Sequence, residues 1–284
     1  MTKILHLSDL HFGKHFLPGV SEVVLAQVET LSPDVIVISG DFTQRAKPQE
    51  FEAALKFLQR LPPLPRVIVP GNHDVPLYRF WERLLHPHAL YQNYLADKLD
   101  TSLYVDDAVF VGLDSTAPYR AIKNGRLSRE QLAFCAHTFA AVPEDILRIV
   151  VMHHHLVPAP TFDRTWPMPQ AKRTLEAFTR MRVDVVLAGH LHRAYVGHSL
   201  DVYAGENRDH GIIIVQCGTT TSRRGRGLER EKNSFNLITL SNTDIQVEHY
   251  HYHERIAIFE PVSRHTFKRR RPAGTNHNNR SKLN

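Results

Sequence analysis

Ile4-Leu5-His6-Leu7-Ser8 runs straight into Asp9-Leu10-His11, and this change from apolar strand to polar cluster decides how the chain is read. The pattern recurs four times. Val35-Ile36-Val37-Ile38-Ser39 runs into Gly40-Asp41, and Val67-Ile68-Val69-Pro70 into Gly71-Asn72-His73-Asp74. Ile149-Val150-Val151-Met152 runs into His153-His154-His155, and Val183-Asp184-Val185-Val186-Leu187-Ala188 into Gly189-His190-Leu191-His192. Each run is short, β-branched and flanked by turn residues, which predicts buried strands of a mostly parallel sheet. Such sheets bind ligands beyond the carboxyl ends of their strands, so all five clusters are expected on one edge of one sheet. Together they carry enough Asp, His and Asn groups to hold two metal ions.

Helical patterns alternate with these strands. Val20 to Leu31 is amphipathic. Gln49 to Arg60 places Phe51, Leu55 and Leu58 at helical spacing and stops at Pro62-Pro63. Val75 to Lys98 reads as a long aromatic helix broken at Pro87. Ser128 caps a helix running towards Ala141, and Thr165 to Met181 holds another. Val109 to Leu113 is an expected strand ending at Asp114. From Gly211 the pattern changes: Ile212 to Gln216, Phe235 to Leu240 and Ile245 to His253 read as strands joined by turns, hence a second, antiparallel sheet packed on the first.

Composition bounds the answer. With 284 residues, 42% of them apolar, the chain can bury a large core. No run of about 18 apolar residues is present, so no membrane span is expected. The first strand begins almost at Met1, leaving no room for a signal peptide. Two cysteines, Cys135 and Cys217, are too few for a disulfide framework and point to a reduced, cytoplasmic setting. The formal charge of +6 resides in one segment. From Ser263 to Asn284 there are seven cations (Arg264, Lys268, Arg269, Arg270, Arg271, Arg280, Lys282) and no acid, which leaves the preceding 262 residues near −1. A folded body over 1–262 and a disordered basic tail over 263–284 are expected.

Asp9-Leu10-His11, Gly40-Asp41, Gly71-Asn72-His73-Asp74, the 153–155 run and Gly189-His190-Leu191-His192 stand in the order of a known motif series. The chain thereby resembles the calcineurin-like metallophosphoesterase family over roughly residues 3 to 240. The resemblance implies a four-layer α/β/β/α sandwich of two packed mixed sheets with helices outside. It implies two transition-metal ions, one held by Asp9, His11, Asp41 and His192, the other by Asp41, Asn72, His190 and one histidine of the run. Counting from the strand end, His153 takes that place, with His154 and His155 as alternatives. It also implies attack of a metal-bridging hydroxide on phosphorus, with His73 as transition-state stabiliser or general acid.

The residue types fit that chemistry. Residues i and i+2 of an extended chain share a side, so Asp9 with His11, and His190 with His192, are expected to grip an ion from a strand end. A carboxylate has two oxygens and can bridge two cations, and Asp41 is the best placed to do so. Imidazoles among oxygen donors suit Mn, Fe, Zn, Ni or Co better than Ca or Mg. Asp74 is expected to accept from the second ring nitrogen of His73 and to orient it. It is also a candidate helix cap.

Specificity is less legible. Arg120, Lys123 and Arg126 in one loop, and Arg223, Arg224 and Arg226 in another, are candidate phosphate contacts. The segment from Tyr91 to Asp107 and the loop from Pro158 to Gln170, with Trp166 and Met168, are candidate pocket walls. His249, His251 and His253 alternate with tyrosines and read as the exposed face of an outer strand. The leading substrate class is a small phosphodiester such as a cyclic nucleotide. The alternatives are a UDP-diacylglucosamine-type pyrophosphate, DNA gripped by the basic tail, and a scaffold that has lost catalysis. The near-neutral body argues against DNA, and the complete donor set argues against the scaffold.

Overall fold

The computed structural model describes residues 1–120, 122–159, 166–203, 211–225 and 232–269. In chain order the elements are β1 (Thr2–Leu7), α1 (Pro18–Leu31), β2 (Val35–Ile38), α2 (Pro48–Arg60), β3 (Arg66–Ile68), α3 (Phe80–Leu85), α4 (Ala89–Tyr94), β4 (Thr101–Val105), β5 (Ala108–Gly112), α5 (Arg129–Ala140), β6 (Leu147–Val151), α6 (Ala171–Arg180), β7 (Val185–Ala188), β8 (Tyr195–His198), α7 (Ser199–Val202), β9 (Ile213–Gln216), β10 (Ser234–Leu240), β11 (Asp244–His253) and β12 (Ile258–Lys268). Two six-stranded mixed sheets result, ordered β12-β11-β10-β1-β2-β3 and β4-β5-β6-β7-β9-β8.

Both faces of the central strands are buried, which is why they read as unbroken apolar runs. Ile4, Val35 and Val37 of the first sheet meet Phe110, Ile149, Val151, Val185 and Leu187 of the second in one core between the sheets. On the outer face of the first sheet, Leu5, Leu7, Ile36 and Ile38 pack against Val24 and Val28 of α1, Phe51 of α2 and Tyr91 of α4. On the outer face of the second, Val109, Val150 and Val186 pack against Cys135 and Phe139 of α5 and Phe178 of α6. This is the four-layer sandwich. Local chemistry sets its helix starts: proline opens α1 and α2, where its missing N–H costs nothing. Ser128 and Gln131 close a capping box on α5, the Gln131 N–H reaching Ser128 Oγ at 3.2 Å and the Ser128 N–H reaching Gln131 Oε1 at 2.9 Å.

Four expectations are corrected. The polar clusters do not share one sheet: those after β1, β2 and β3 belong to the first, those after β6 and β7 to the second. Periodicity reveals a strand but not its partner. For the same reason the late strands do not form a separate antiparallel sheet: β9 joins the second sheet parallel to β7, while β10, β11 and β12 extend the first. The stretch from Val75 to Lys98 holds only the short helices α3 and α4. Finally, the expected tail boundary at Ser263 falls inside β12. Lys268 pairs with Asp244 at 2.7 Å, Arg264 with Glu248 at 2.8 Å and Arg269 with Asp107 at 3.4 Å, so acids of the body hold the first cations of that segment. Its remainder, 270–284, lies outside the described residues.

Because β12 covers β11, His249 is buried rather than exposed. Its Nδ1–H donates to Asn236 Oδ1 at 2.5 Å, the Asn236 amide donates to His6 Nδ1 at 3.2 Å, and His6 Nε2–H donates to Ser39 Oγ at 2.9 Å. Burial first, and the neighbouring imidazoles His265 and His251 next, push His249 down to about 4 from 6.5. A histidine kept neutral in the fold binds fewer protons folded than unfolded, so its contribution is intact above pH 6.5 and is lost as pH falls towards 4. The melting temperature is therefore expected to fall between pH 7 and pH 5. His249→Gln should remove about 2 kcal/mol of that loss at one and a half pH units below the free value. Parallel melting curves of the two proteins across that range check this.

Candidate metal centre

Each polar cluster begins where a strand ends, and the backbone then turns sharply. Asp9, His11, Asp41, His190 and His192 all adopt positive φ, between 50° and 75°, a region that side chains other than glycine's rarely enter. The expected extended i, i+2 geometry is thus replaced by left-handed turns, which aim the side chains at one point. The turns are held by main-chain bonds: Asp9 N–H donates to the Gly40 carbonyl at 3.0 Å and His11 N–H to the Asp41 carbonyl at 3.0 Å. Gly40 is required where it stands, at φ 93°, because a Cβ there would lie 2.7 Å from His153 Nδ1. At Gly189 a Cβ would overlap Ser8 Oγ.

Asp9, His11, Asp41 and His192 form one buried donor group, their ligand atoms all within 4.8 Å of one another. His11 Nε2 lies 3.6 Å from both Asp9 Oδ1 and Asp41 Oδ2, and His192 Nε2 lies 3.2 Å from Asp9 Oδ1. A second group adjoins it. His153 Nε2 is 3.4 Å from Asp41 Oδ1 and 3.2 Å from Asn72 Oδ1, and His190 Nδ1 is 2.8 Å from Asn72 Oδ1 and 3.3 Å from His153 Nε2. Asp41 belongs to both, one oxygen facing each.

The donors fit cations by their own chemistry. Asp9 Oδ1 and Asp41 Oδ2 are buried and, among the described residues, accept no hydrogen bond, a costly state for a carboxylate unless a cation compensates it. The Nδ1–H groups of His11, His153 and His192 are committed to the carbonyls of Thr43, Ser39 and Arg224 at 3.2, 2.8 and 2.6 Å. This fixes the tautomers and turns the Nε2 lone pairs inward. The two lone pairs of His11 and His192 then face each other at 3.2 Å, an arrangement that only a positive centre stabilises. Burial alone would raise the Asp9 and Asp41 carboxyls. When protonated, the surrounding imidazoles, His192 and His11 for Asp9 and His153 and His73 for Asp41, outweigh it and hold both well below the usual range.

Of the 153–155 run, only His153 enters this geometry. His154 turns its Nδ1 to Ser115 Oγ at 2.9 Å, and His155 stacks on His190 with ring centroids 5.6 Å apart. His73 lies at the rim, its Nδ1–H donating to the Gln44 carbonyl at 2.8 Å and its ring edge-on to His11. Asp74 does not touch that ring. Its carboxylate accepts from the N–H groups of Gly71 (2.9 Å), Phe42 (3.2 Å) and Thr43 (2.8 Å) and from the Thr43 hydroxyl (3.0 Å). The orienting role expected of it falls to a carbonyl of the neighbouring loop, which no residue-type signal announces.

A cavity of about 370 Å³ opens over the two groups, lined by Asp41, Asn72, His73, His190 and His192 together with Gln44, Arg45, Tyr78, Lys123 and Arg224. Lys123 and Arg224 are therefore well placed among the expected cations. Arg120 and Arg126 line a neighbouring hollow, and Arg226 lies outside the described residues. Tyr91 is core, not wall; the wall comes from Val75, Leu77 and Tyr78, immediately after the Gly71–Asp74 block. Trp166 and Met168 line an adjoining hollow with Lys123, His154 and His155.

The family model for calcineurin-like phosphoesterases matches residues 2–194. The chain belongs to this family. The buried Asp/His cluster accords with that membership. The chain spans less than a third of the length of several of the curated relatives it matches. Among calcineurin-like phosphoesterases, the chain is 33% identical over 81 residues to the glycerophosphodiester phosphodiesterase GpdQ of Enterobacter lignolyticus, covering 25% of this chain and 29% of that protein. It is 26% identical over 194 residues to a probable cyclic nucleotide phosphodiesterase of Synechococcus sp., covering 64% of this chain and 67% of that one. A dimetal phosphatase from Danio rerio shares the fold with a TM-score of 0.67 at 12% identity, over 95% of this chain and 99% of that chain.

Asp74→Ala is expected to lower stability by several kcal/mol, since it strands three buried N–H groups at about 1–3 kcal/mol each. Denaturant unfolding reads this directly. A loss of turnover with unchanged stability would instead restore an orienting role to Asp74.

Proposed function

We propose that the chain is a dinuclear-metal phosphodiesterase for a small phosphodiester. The observation that carries this reading is the pair of donor groups sharing Asp41 beneath a cavity of about 370 Å³ walled by Arg45, Lys123 and Arg224. That volume suits a small molecule. In this reading Asp9, His11, Asp41 and His192 hold one cation, and Asp41, Asn72, His153 and His190 hold the other. When bound, the two ions would neutralise charge on phosphate oxygens and lower the pKa of a water molecule. Imidazole and oxygen donors favour Mn, Fe or Zn.

The protein's own groups do the rest. Arg224, with Nη1 3.1 Å from His73 Nε2, is a permanent cation for a non-bridging oxygen. His73 has committed Nδ1–H to Gln44, so Nε2 is the nitrogen that exchanges a proton with the leaving oxygen. Burial, aided by Arg224 and opposed by Asp41, lowers its pKa, which eases release of that proton. Lys123 and Arg45 grip the portion of the substrate that does not react.

The similarity to a glycerophosphodiester and a cyclic nucleotide phosphodiesterase supports the diester class. A nuclease relying on the first cations of the basic segment is disfavoured by their placement. Arg269 is anchored at Asp107, beside the first residues of β1 and β5, which is the sheet edge opposite the metal centre. Cys135 and Cys217 are buried and are not joined in a disulfide, and a reducing compartment such as the cytoplasm fits them. Among the described residues no helix is long and apolar enough to cross a membrane.

The test is hydrolysis of bis(p-nitrophenyl) phosphate beside p-nitrophenyl phosphate by metal-stripped protein given back Mn²⁺. The diester should be favoured, and Asp41→Asn should abolish turnover together with binding of at least one ion by calorimetry. His73→Ala should lower kcat by about 10²–10⁴-fold while both ions still bind. Loss of metal in that variant would assign His73 to the donor set and overturn its role at the leaving group.

A further inference from the structure

Helix α3 is amphipathic the wrong way round. Its residues Phe80, Trp81, Leu84 and Leu85 fall on one face at i, i+1, i+4 and i+5, and they are 62, 71, 44 and 63% exposed. No residue of the helix is buried. The polar side is the one that grips the body. Arg79, at its N-terminal boundary, donates to the Ala46 carbonyl at 2.6 Å, and Arg83 donates to the carbonyls of Pro118 at 2.5 Å and Arg120 at 2.9 Å. Its acid, Glu82, is paired with Arg79 at 2.8 Å. The arginines thus fix the helix with its apolar face turned to solvent. Tyr78 and Tyr119 extend this face at 76 and 65% exposure, and Tyr78 also lines the catalytic cavity. A contiguous apolar surface on a soluble domain marks a docking site.

We infer that this face seats the protein on an anionic lipid bilayer, with the mouth of the metal centre at the membrane surface. Charge chooses the bilayer over a second copy of the chain: Arg120 and Lys123 are exposed beside the patch, Arg45 lies over the Tyr78 ring at 5.1 Å, and the one acid on the helix is neutralised. A cation-flanked cluster of Trp, Tyr, Phe and Leu is the composition of an interfacial anchor, whereas two copies would bring like charges together.

Sedimentation with vesicles tests this, and it reads binding independently of turnover. Vesicles of phosphatidylcholine with about one third phosphatidylglycerol should retain the protein, pure phosphatidylcholine should retain much less, and the triple variant Phe80→Ser, Trp81→Ser, Leu85→Ser should lose at least tenfold of the affinity. The variant should hydrolyse bis(p-nitrophenyl) phosphate like the unaltered protein, which shows that it folds. In a Trp166→Phe background, Trp81 is the remaining tryptophan, and its emission should shift to shorter wavelength on adding anionic vesicles. Failure to bind either vesicle, or equal binding by the triple variant, would overturn the proposal. So would a concentration-dependent dimer by light scattering that the same substitutions dissolve.

Discussion

The Asp41 carboxylate stands where the carboxyl ends of two sheets meet, and the geometry of the centre follows from that position. Its Oδ2 faces the group formed by Asp9, His11 and His192, and its Oδ1 faces His153 and the Asn72–His190 pair. Neither sheet carries a complete set. β1 and β2 supply Asp9, His11 and Asp41, and the turn after β3 supplies Asn72, while β6 and β7 supply His153, His190 and His192. The donors converge only because the apolar faces of the two sheets pack against each other along Ile4, Val37, Phe110, Ile149 and Leu187. The sandwich core is therefore the element that holds the metal centre together, and a cavity opened in it would be felt at the donors through sheet separation.

Convergence has a conformational cost. Five residues in the left-handed region store on the order of 1–2 kcal/mol each. Their backbones persist there because neighbouring loops satisfy them. Besides the bonds from Asp9 and His11, the Thr219 hydroxyl donates to the Asp9 carbonyl at 2.7 Å, the Thr221 hydroxyl to the Leu10 carbonyl at 2.9 Å, and Ser8 Oγ to Asp9 Oδ2 at 2.7 Å. The segment after β9 thus buttresses the first turn although it contributes no donor. Asp74 does the same for the loop after β2, binding three N–H groups at once. Buried polar residues next to the centre act mainly as braces for strained backbone, and Asp9 Oδ1 and Asp41 Oδ2 are carboxylate atoms that, among the described residues, the braces leave without a hydrogen bond.

Much of this was legible in the sequence because strand, turn and donor are adjacent along the chain. Val35 to Ile38 is apolar on both faces and ends in Gly40-Asp41, so strand, turn and ligand are read from seven consecutive residues. The same holds for Gly189-His190-Leu191-His192. What could not be read was whatever depends on pairing across long separations. Nothing in residues 234–240 states that β10 lies against β1. Nothing in Ile258 to Lys268, with its alternating charges, distinguishes an edge strand from a solvated tail until Asp244 and Glu248 are found opposite its cations. The partner of His73 was invisible for a different reason: a backbone carbonyl has no residue type. Asp74 was misassigned because a carboxylate next to a histidine in sequence points elsewhere once the turn is made.

The two parts of the site are also held by different means. The donors sit on turns tied by main-chain bonds to buried strands, so their positions are set by the core. The cavity walls are held by isolated side-chain contacts: Arg45 on the Tyr78 ring, Arg224 beside His73, and α3 anchored through Arg79 and Arg83 to carbonyls of two loops. Substitutions in the walls leave the inter-sheet packing untouched and change the shape of the cavity, whereas substitutions beneath the donors disturb every oxygen and nitrogen around Asp41 together. On this account the donor geometry and the shape of the cavity are set by separate parts of one layout. The α3 face lies with the walls, outside the donor turns, which is why its apolar residues can be addressed without altering the centre they adjoin.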